Sequence, residues 1–298
     1  MKYDVGCARL ALAAILAIAI SNSSRAADAN SATDDSGSNS PIADYFANWF
    51  ARVDKAQAEQ PHWMTPLVTV TPRLEEEVRY DQFWTGLNGG KSTITNYDGG
   101  KGLELIPTET NEIIFGVPAF EQKSAGKSSA TGWSDYPFFL VKQRLLTGNE
   151  QNGNYIVTAF LQGSAPTGDA AFTNNAYTIT PTIAGGFGYG LFDVQATLSE
   201  LFPTSHESTI GRPITYNIAF QANVANLFWP ELEINGTHFV DGAHSGVNQV
   251  FLLPGVILGR LQIYERLKFS IGFGRQIAVT SEHPTEINNW VLSARASF

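Results

Sequence analysis

The chain has 298 residues, 43% of them hydrophobic, with 19 Lys and Arg against 28 Asp and Glu. A formal charge of −9 excludes a nucleic-acid-binding surface, which needs a basic face. A single cysteine excludes an internal disulfide framework.

Lys2 and Arg9 flank a short basic start weakened by Asp4, and Leu10 to Ile20 is an unbroken run of Ala, Leu and Ile. That run is shorter than the roughly 20 apolar residues a transmembrane helix needs. Ser24-Arg25-Ala26 follows, with small residues at the two positions read in cleavage. Residues 1–26 thus read as a secretory signal peptide, with Ala29 as an alternative end. Cys7 precedes the apolar run, so no lipoprotein anchor is implied, and cleavage leaves a cysteine-free chain. Residues 27–41 are almost all Ser, Asn, Asp, Ala and Gly with no large apolar residue, too polar to offset chain entropy, and read as a disordered linker. From Pro41 the pattern changes: Ile42, Tyr45, Phe46, Trp49, Phe50 and Val53 form one stripe of an amphipathic helix over 42–58. It suits a plug, a periplasmic arm, an interfacial helix, or a cap over a barrel mouth.

From Pro66 the chain reads as strands and turns, and from Leu74 the period is two. Leu74, Glu76, Val78, Tyr80, Gln82 and Trp84 alternate with Arg73, Glu75, Glu77, Arg79, Asp81 and Phe83. The first set is mainly apolar and the second is charged at five successive positions. A strand with these two faces fits a membrane barrel with lipid on one side and a wet lumen on the other. Ile214 to Asn226 repeats the pattern, as do Leu267, Phe269, Ile271 and Phe273 against Arg266, Lys268, Ser270, Gly272 and Gly274. Phe138 to Leu146 carries Lys142 and Arg144 on one side. Val250 to Leu258 is apolar on both faces, like a buried strand. The last segment alternates Trp290, Leu292, Ala294, Ala296 and Phe298 with Val291, Ser293, Arg295 and Ser297. It ends on an aromatic, as the assembly signals of outer-membrane barrels do.

Alternation of short and long connections, read back from Phe298, places periplasmic turns at Gly259–Gln262, Phe228–Glu231, Gly188–Leu191, Gly148–Asn154 and Asn96–Lys101. Longer external loops then fall at Asp241–Asn248, Thr204–Arg212, Ser164–Ala176 and Pro118–Asp135. With Ser92–Tyr97 as a strand the count is twelve; without it, ten. The expected fold is an all-β antiparallel transmembrane barrel over 66–298 with a short N-terminal periplasmic helix.

Arg73, Glu75, Glu77, Arg79 and Asp81 are the lumen candidates, with Lys142, Arg144, Arg266, Lys268 and Arg295 as the basic side. They border a selective path or fill the lumen as a paired network. His62, His206, His238, His244 and His283 make no metal-ligand spacing, and no Gly-x-Ser-x-Gly run marks a nucleophile. His238 with Asn235 and Thr237 is the best hydrolase fragment, but the strand period puts His238 on the opposite face. Gly185–Gly190 lacks a basic residue after it and suits close strand approach, not phosphate.

The run from Thr65 to Trp84, with GKGLELIP, YPFFLVKQRLL and VFLLPGVILGR, resembles a family of bacterial outer-membrane barrels. Its members are described as transporter-like or linked to the meta-pathway of phenol degradation. The resemblance covers Pro66 to Phe298. It implies a non-enzymatic channel-like barrel for small, hydrophobic or aromatic compounds, without a cofactor. Outer-membrane lipid, the barrel assembly machinery and a small-molecule substrate are the expected partners, and the bacterial outer membrane the expected location. A structural or adhesion-type barrel is the alternative.

Overall fold

The computed structural model describes residues 40–87, 91–98, 101–281 and 288–298. The proposed signal peptide, nearly all of the proposed linker, and His283 lie outside the described residues. The chain divides into residues 1–51 and 52–298.

In the first unit, α1 (Pro41–Ala47) starts under a cap in which Ala43 N–H donates to Ser40 Oγ at 3.3 Å. Tyr45, Phe46 and Trp49 cluster with ring centroids 5.3 to 6.2 Å apart. The expected single helix is interrupted at Asn48, whose amide donates to Asp44 O at 2.8 Å and so competes with the helical ladder. α2 (Trp49–Ala58) then continues into the second unit.

The second unit is a closed antiparallel barrel of twelve strands. The strands are β1 (Glu77–Leu87), β2 in two pieces (Ser92–Tyr97 and Gly102–Thr108), β3 in two pieces (Asn111–Gly116 and Phe120–Ala125) and β4 in two pieces (Ser128–Trp133 and Tyr136–Gly148). There follow β5 (Tyr155–Ala165), β6 (Thr178–Tyr189), β7 (Phe192–Glu200), β8 (Pro213–Ala222), β9 (Phe228–Phe239), β10 (Asn248–Tyr264), β11 (Leu267–Ala278) and β12 (Asn288–Ser297). Each pairs with the next, and β12 closes on β1 from Glu77 opposite Ser297 to Gly86 opposite Asn288. Most strands reach the ten or so residues that cross a bilayer when tilted. We call the end at Glu77 and Ser297 the inner rim and the other the outer rim.

The barrel is apolar outside and polar inside, the reverse of a water-soluble protein. Outward Val78, Phe220, Leu232 and Phe273 are 44–48% exposed, while inward Arg79, Lys142, Glu233 and Arg295 are at most 2% exposed. A predominantly apolar exterior of this kind needs lipid around it. Where a glycine leaves a gap in it, an aromatic fills in: Tyr216 on β8 lies over Gly236, its cross-strand partner on β9.

Twelve is the expected count, but the strands are cut differently. β1 begins at Glu77, so Leu74 and Glu76, placed on the lipid face by periodicity, are buried inside instead. Asn96–Lys101 is not a periplasmic turn. Asp98 takes φ 66°, and Ser92–Tyr97 and Gly102–Thr108 both pair with β1, so both are parts of β2. The turn lies at Thr108–Asn111, where Thr108 Oγ1 donates to Asn111 Oδ1 at 2.7 Å. Pro118–Asp135, expected as a loop, is largely the hairpin joining β3 to β4. β8 stops at Ala222. Asn223 and Val224 belong to a turn in which Ala225 and Asn226 have positive φ, and Phe228–Glu231 is already β9. Gly259–Gln262 is strand as well, because a bulge lets β10 run on to Tyr264.

Candidate functional site: a strap inside the lumen

Between α2 and β1 the chain enters the barrel and returns. Residues 60–76 form no strand, and Pro61, Pro66 and Pro72 deny them a continuous ladder. Gln60, Leu67, Thr69, Leu74 and Glu76 are fully buried there. Backbone buried without secondary structure must find partners elsewhere, and here the wall side chains supply them. Glu231 on β9 accepts from Leu67 N–H at 3.2 Å. Glu233 accepts from Val68 and Thr69 N–H at 2.8 and 2.7 Å, and from the Thr69 hydroxyl at 2.5 Å. Thr71 Oγ1 donates to Gln195 Oε1 at 2.7 Å, and Glu112 accepts from Glu75 N–H at 2.6 Å.

The cations meet the strap carbonyls. Arg79 donates to Leu67 O at 2.6 Å while pairing with Asp81 at 2.7 Å. Arg295 donates to Thr65 O, and to Pro66 O at 2.7 Å. Lys142 donates to Arg73 O at 3.1 Å and pairs with Glu112 at 2.9 Å. Within the strap Arg73 pairs with Glu75 at 2.8 Å and donates to Trp63 O, and Gln60 forms two bonds with the Leu74 backbone at 2.7 and 2.9 Å.

Apolar strap residues are seated just as specifically. Leu67 lies where a Cβ on Gly255, Gly272 or Gly274 would stand, within 2.7 Å, and it packs with Met64, Trp229, Leu253, Ile257 and Val291. That is why β10 is apolar on both faces: one meets lipid and the other meets Met64 and Leu67. Trp63 occupies the space over Gly186 and Gly188, and its Nε1 donates to Asn154 Oδ1 at 3.0 Å. The glycine run of β6 is thus a seat for an indole.

The predicted lumen residues therefore fall into three places. Glu77, Arg79, Asp81, Lys142 and Arg295 lie on the wall, while Arg73 and Glu75 belong to the strap itself. Arg144 stands at the inner rim, donating to Ala56 O at 2.6 Å and pairing with Glu59 of the α2–strap junction at 2.8 Å. Arg266 lies in the β10–β11 turn and pairs with Asp54 at 2.6 Å, and Lys268 is exposed beside it. Trp290 faces outward, stacked on Phe273 at 5.2 Å; Leu292 shares that face, and Phe298 N–H donates to Glu76 O at 3.1 Å.

Sequence reasoning missed Glu231 and Glu233, because loop-length parity puts a turn at Phe228–Glu231. Their alternation with Pro230, Leu232 and Ile234 was a usable signal. Arg260 was missed too. It has φ 56° in the β10 bulge and donates to His62 O at 2.7 Å and to Trp63 O; nothing in a lone sequence announces such a bulge.

At the inner rim Asp54 lies below the usual carboxylate range, chiefly because Arg266 donates two hydrogen bonds to it, at 2.9 and 2.6 Å. Burial pushes Glu150 up, yet bonds from the His62 N–H and ring bring it below its ordinary value.

Comparison with known protein families and with curated proteins finds no match. Among solved structures, the chain is similar to an outer-membrane channel from Pseudomonas putida, with TM-score 0.51 and 15% identity over 74% of this chain and 92% of that one. A NanC porin aligns at TM-score 0.43 and 7% identity over 74% of this chain and 98% of that one. The first likeness shows the barrel fold.

Proposed function

We propose that this chain is an outer-membrane channel for small molecules, closed at rest by its own strap. The outer membrane is its location, and the inner rim faces the periplasm. The observation that carries this reading is how the strap is tethered. Among the described residues, the bonds from Pro61–Glu75 to the barrel run through wall side chains, whereas the β1–β12 ladder closes without the strap. The strap can leave while every strand stays paired. A charged, well-hydrated wall would be left behind it, as a solute path requires. The fold of a solved channel supports the same reading, and the family resemblance extends it to hydrophobic or aromatic solutes.

The deep burial of most of the strap favours a second reading, a permanently plugged structural barrel. A reversible tether separates the two. Thr71→Cys and Gln195→Cys, joined by a short thiol-reactive crosslinker with a reducible centre, hold the strap to β7. In planar bilayers the untethered protein should open and close, the linked protein should stay shut, and reduction should restore opening. Equal silence before and after reduction, toward ions and toward small aromatic solutes in liposome uptake, would leave the plugged barrel standing.

A further inference from the structure

Above the strap, toward the outer rim, lies a cavity of about 360 Å³. Its floor is a row across three strands. Phe83 of β1 stands opposite Asn96 of β2, and Asn96 stands opposite Glu121 of β3. Directly opposed residues in antiparallel strands share a face with side chains in reach of one another. Phe83 also packs against the core around Leu67, so the cavity sits on top of the plug. Gln162 of β5 lines one side, and Phe172 and Asn174 from segment 166–177 lie over it.

That segment is pinned in place. Asp135 accepts from Gly168 N–H at 3.1 Å and Asn174 N–H at 2.8 Å, while Asp169 accepts from Trp133 N–H at 2.7 Å. Gly132, next in the floor row after Glu121, leaves the room that the Asp169 side chain uses. The cavity is therefore built by the fold, and its two acidic neighbours are spent on backbone N–H groups.

Two acceptors in the cavity are not spent. Asn96 Oδ1 is buried with no hydrogen-bond partner. The Glu121 carboxylate is half-buried, and among the described residues no ion pair or hydrogen bond satisfies it. Lys123, two residues along β3, acts on it electrostatically without forming an ion pair. A buried amide oxygen left without a donor is costly, and a half-buried carboxylate is only partly hydrated. A ligand that brings donors and positive charge relieves both. Phe83 and Phe172 line the cavity with aromatic rings, which can attract a cation and bury an apolar body. An anion would meet Glu121 with like charge, and a neutral ring would gain only the apolar contact.

We infer that this cavity binds a small organic ammonium ion, its N–H groups on Glu121 and Asn96 and its apolar body between Phe83 and Phe172. The site does not require the lumen to open, so it stands or falls apart from the channel reading. Calorimetry on the detergent-solubilised full chain near neutral pH tests it, with 2-phenylethylammonium, neutral 2-phenylethanol and anionic 3-phenylpropanoate as probes. The cation should bind about ten-fold tighter than the alcohol or better, the scale of a partly desolvated charge interaction, and the anion should not bind. Glu121→Gln should bring the cation down to the level of the alcohol, and Phe172→Ala should weaken both. Lys123→Gln, which removes the competing charge and leaves the acceptors in place, should tighten the cation. That variant decides the matter if Glu121→Gln does not fold, as judged by its unheated gel mobility. Equal affinity for cation and alcohol in the wild type, cation affinity untouched by Glu121→Gln in a folded barrel, or no binding of any probe would overturn the assignment.

Discussion

The carboxylate of Glu233 on β9 accepts both the backbone N–H of Thr69, at 2.7 Å, and its hydroxyl, at 2.5 Å. One wall residue thereby holds a residue that lies 164 positions earlier in the chain. Glu233→Leu removes these bonds and leaves the Val68 and Thr69 N–H groups buried without acceptors. Bonds to charged groups contribute roughly 1.5–3 kcal/mol, so the strap should loosen by at least that amount. Limited trypsin digestion of the folded barrel reads it: Arg73 is buried in the wild type and should become a cleavage site in the variant. Continued resistance at Arg73 would mean that Glu233 is not a principal latch.

Leu67 and its glycine socket make a second latch, this one by shape. A Cβ at Gly272 would stand 2.6 Å from Leu67 Cδ2 and 2.9 Å from Ile257 Cγ1. Gly272→Val should therefore overpack the socket, at about 1–3 kcal/mol. Leu67→Ala in the same chain should recover much of that, giving a clear coupling energy in a double-mutant cycle read by urea unfolding in micelles. Additive effects would place the clash elsewhere.

These two latches show what a single sequence can and cannot carry. Alternation in β1, β8, β11 and β12 is local, and it marked Arg79, Asp81 and Arg295 as inward directly. The strap escaped because an extended chain also has period two, so Leu74, Glu75 and Glu76 looked like three more residues of β1. Glu76 was the misfit on that supposed lipid face, and the structure buries it inside. β10 carried a second sign, since a strand apolar on both faces in a polar-lined barrel implies something apolar inside it. What no local pattern contains is the pairing itself: Arg260 with Trp63, or Glu233 with Thr69, joins residues well over a hundred positions apart.

The Asp54–Arg266 pair at the inner rim gives a pH dependence with a defined sign. Hydrogen bonds from Arg266 hold the folded-state value of Asp54 below its ordinary 3.8. A depressed carboxylate stabilises the folded state above its unfolded value and loses that contribution as pH falls through the folded one. The anchoring of α2 to the β10–β11 turn should thus be constant from neutrality down to about pH 4 and weaken below it. Hydrogen exchange in 52–58 should report the loss, and Asp54→Asn should be equally loose at neutral pH with no further acid response from this pair. Loosening near pH 6 would point to another group.

Phe298 directly follows the strand that closes the barrel, and its N–H reaches Glu76 O at 3.1 Å, where the strap becomes β1. We expect the terminal aromatic, with outward Trp290 and Leu292, to be what the assembly machinery recognises. Deleting Phe298 should lower the folded outer-membrane yield in cells while leaving refolding into detergent micelles in vitro nearly intact. An equal loss in both settings would make Phe298 a stability element and not a signal.

Glu75, Glu77 and Asp81 were the residues expected to set cation preference, and their surroundings refine that expectation. Glu75 is paired with Arg73 and accepts from Thr65 Oγ1 at 2.9 Å; Asp81 is paired with Arg79; Glu77 accepts from Ser297 Oγ at 3.1 Å. Changing all three to Gln or Asn leaves Arg73 and Arg79 buried with their charge uncompensated. Removing one side of a buried pair typically costs about 3–5 kcal/mol. The first effect should therefore be a less stable, leaky barrel. In that leak the lining has lost carboxylates but keeps Arg79, Lys142 and Arg295, so its attraction for cations is weaker. The fair reference is a barrel loosened by a change that leaves all three carboxylates in place, such as Thr69→Ala. Relative to it, the reversal potential of the triple variant under a salt gradient should move toward anion preference. Equal reversal potentials in the two leaky barrels would mean that these carboxylates do not border the path.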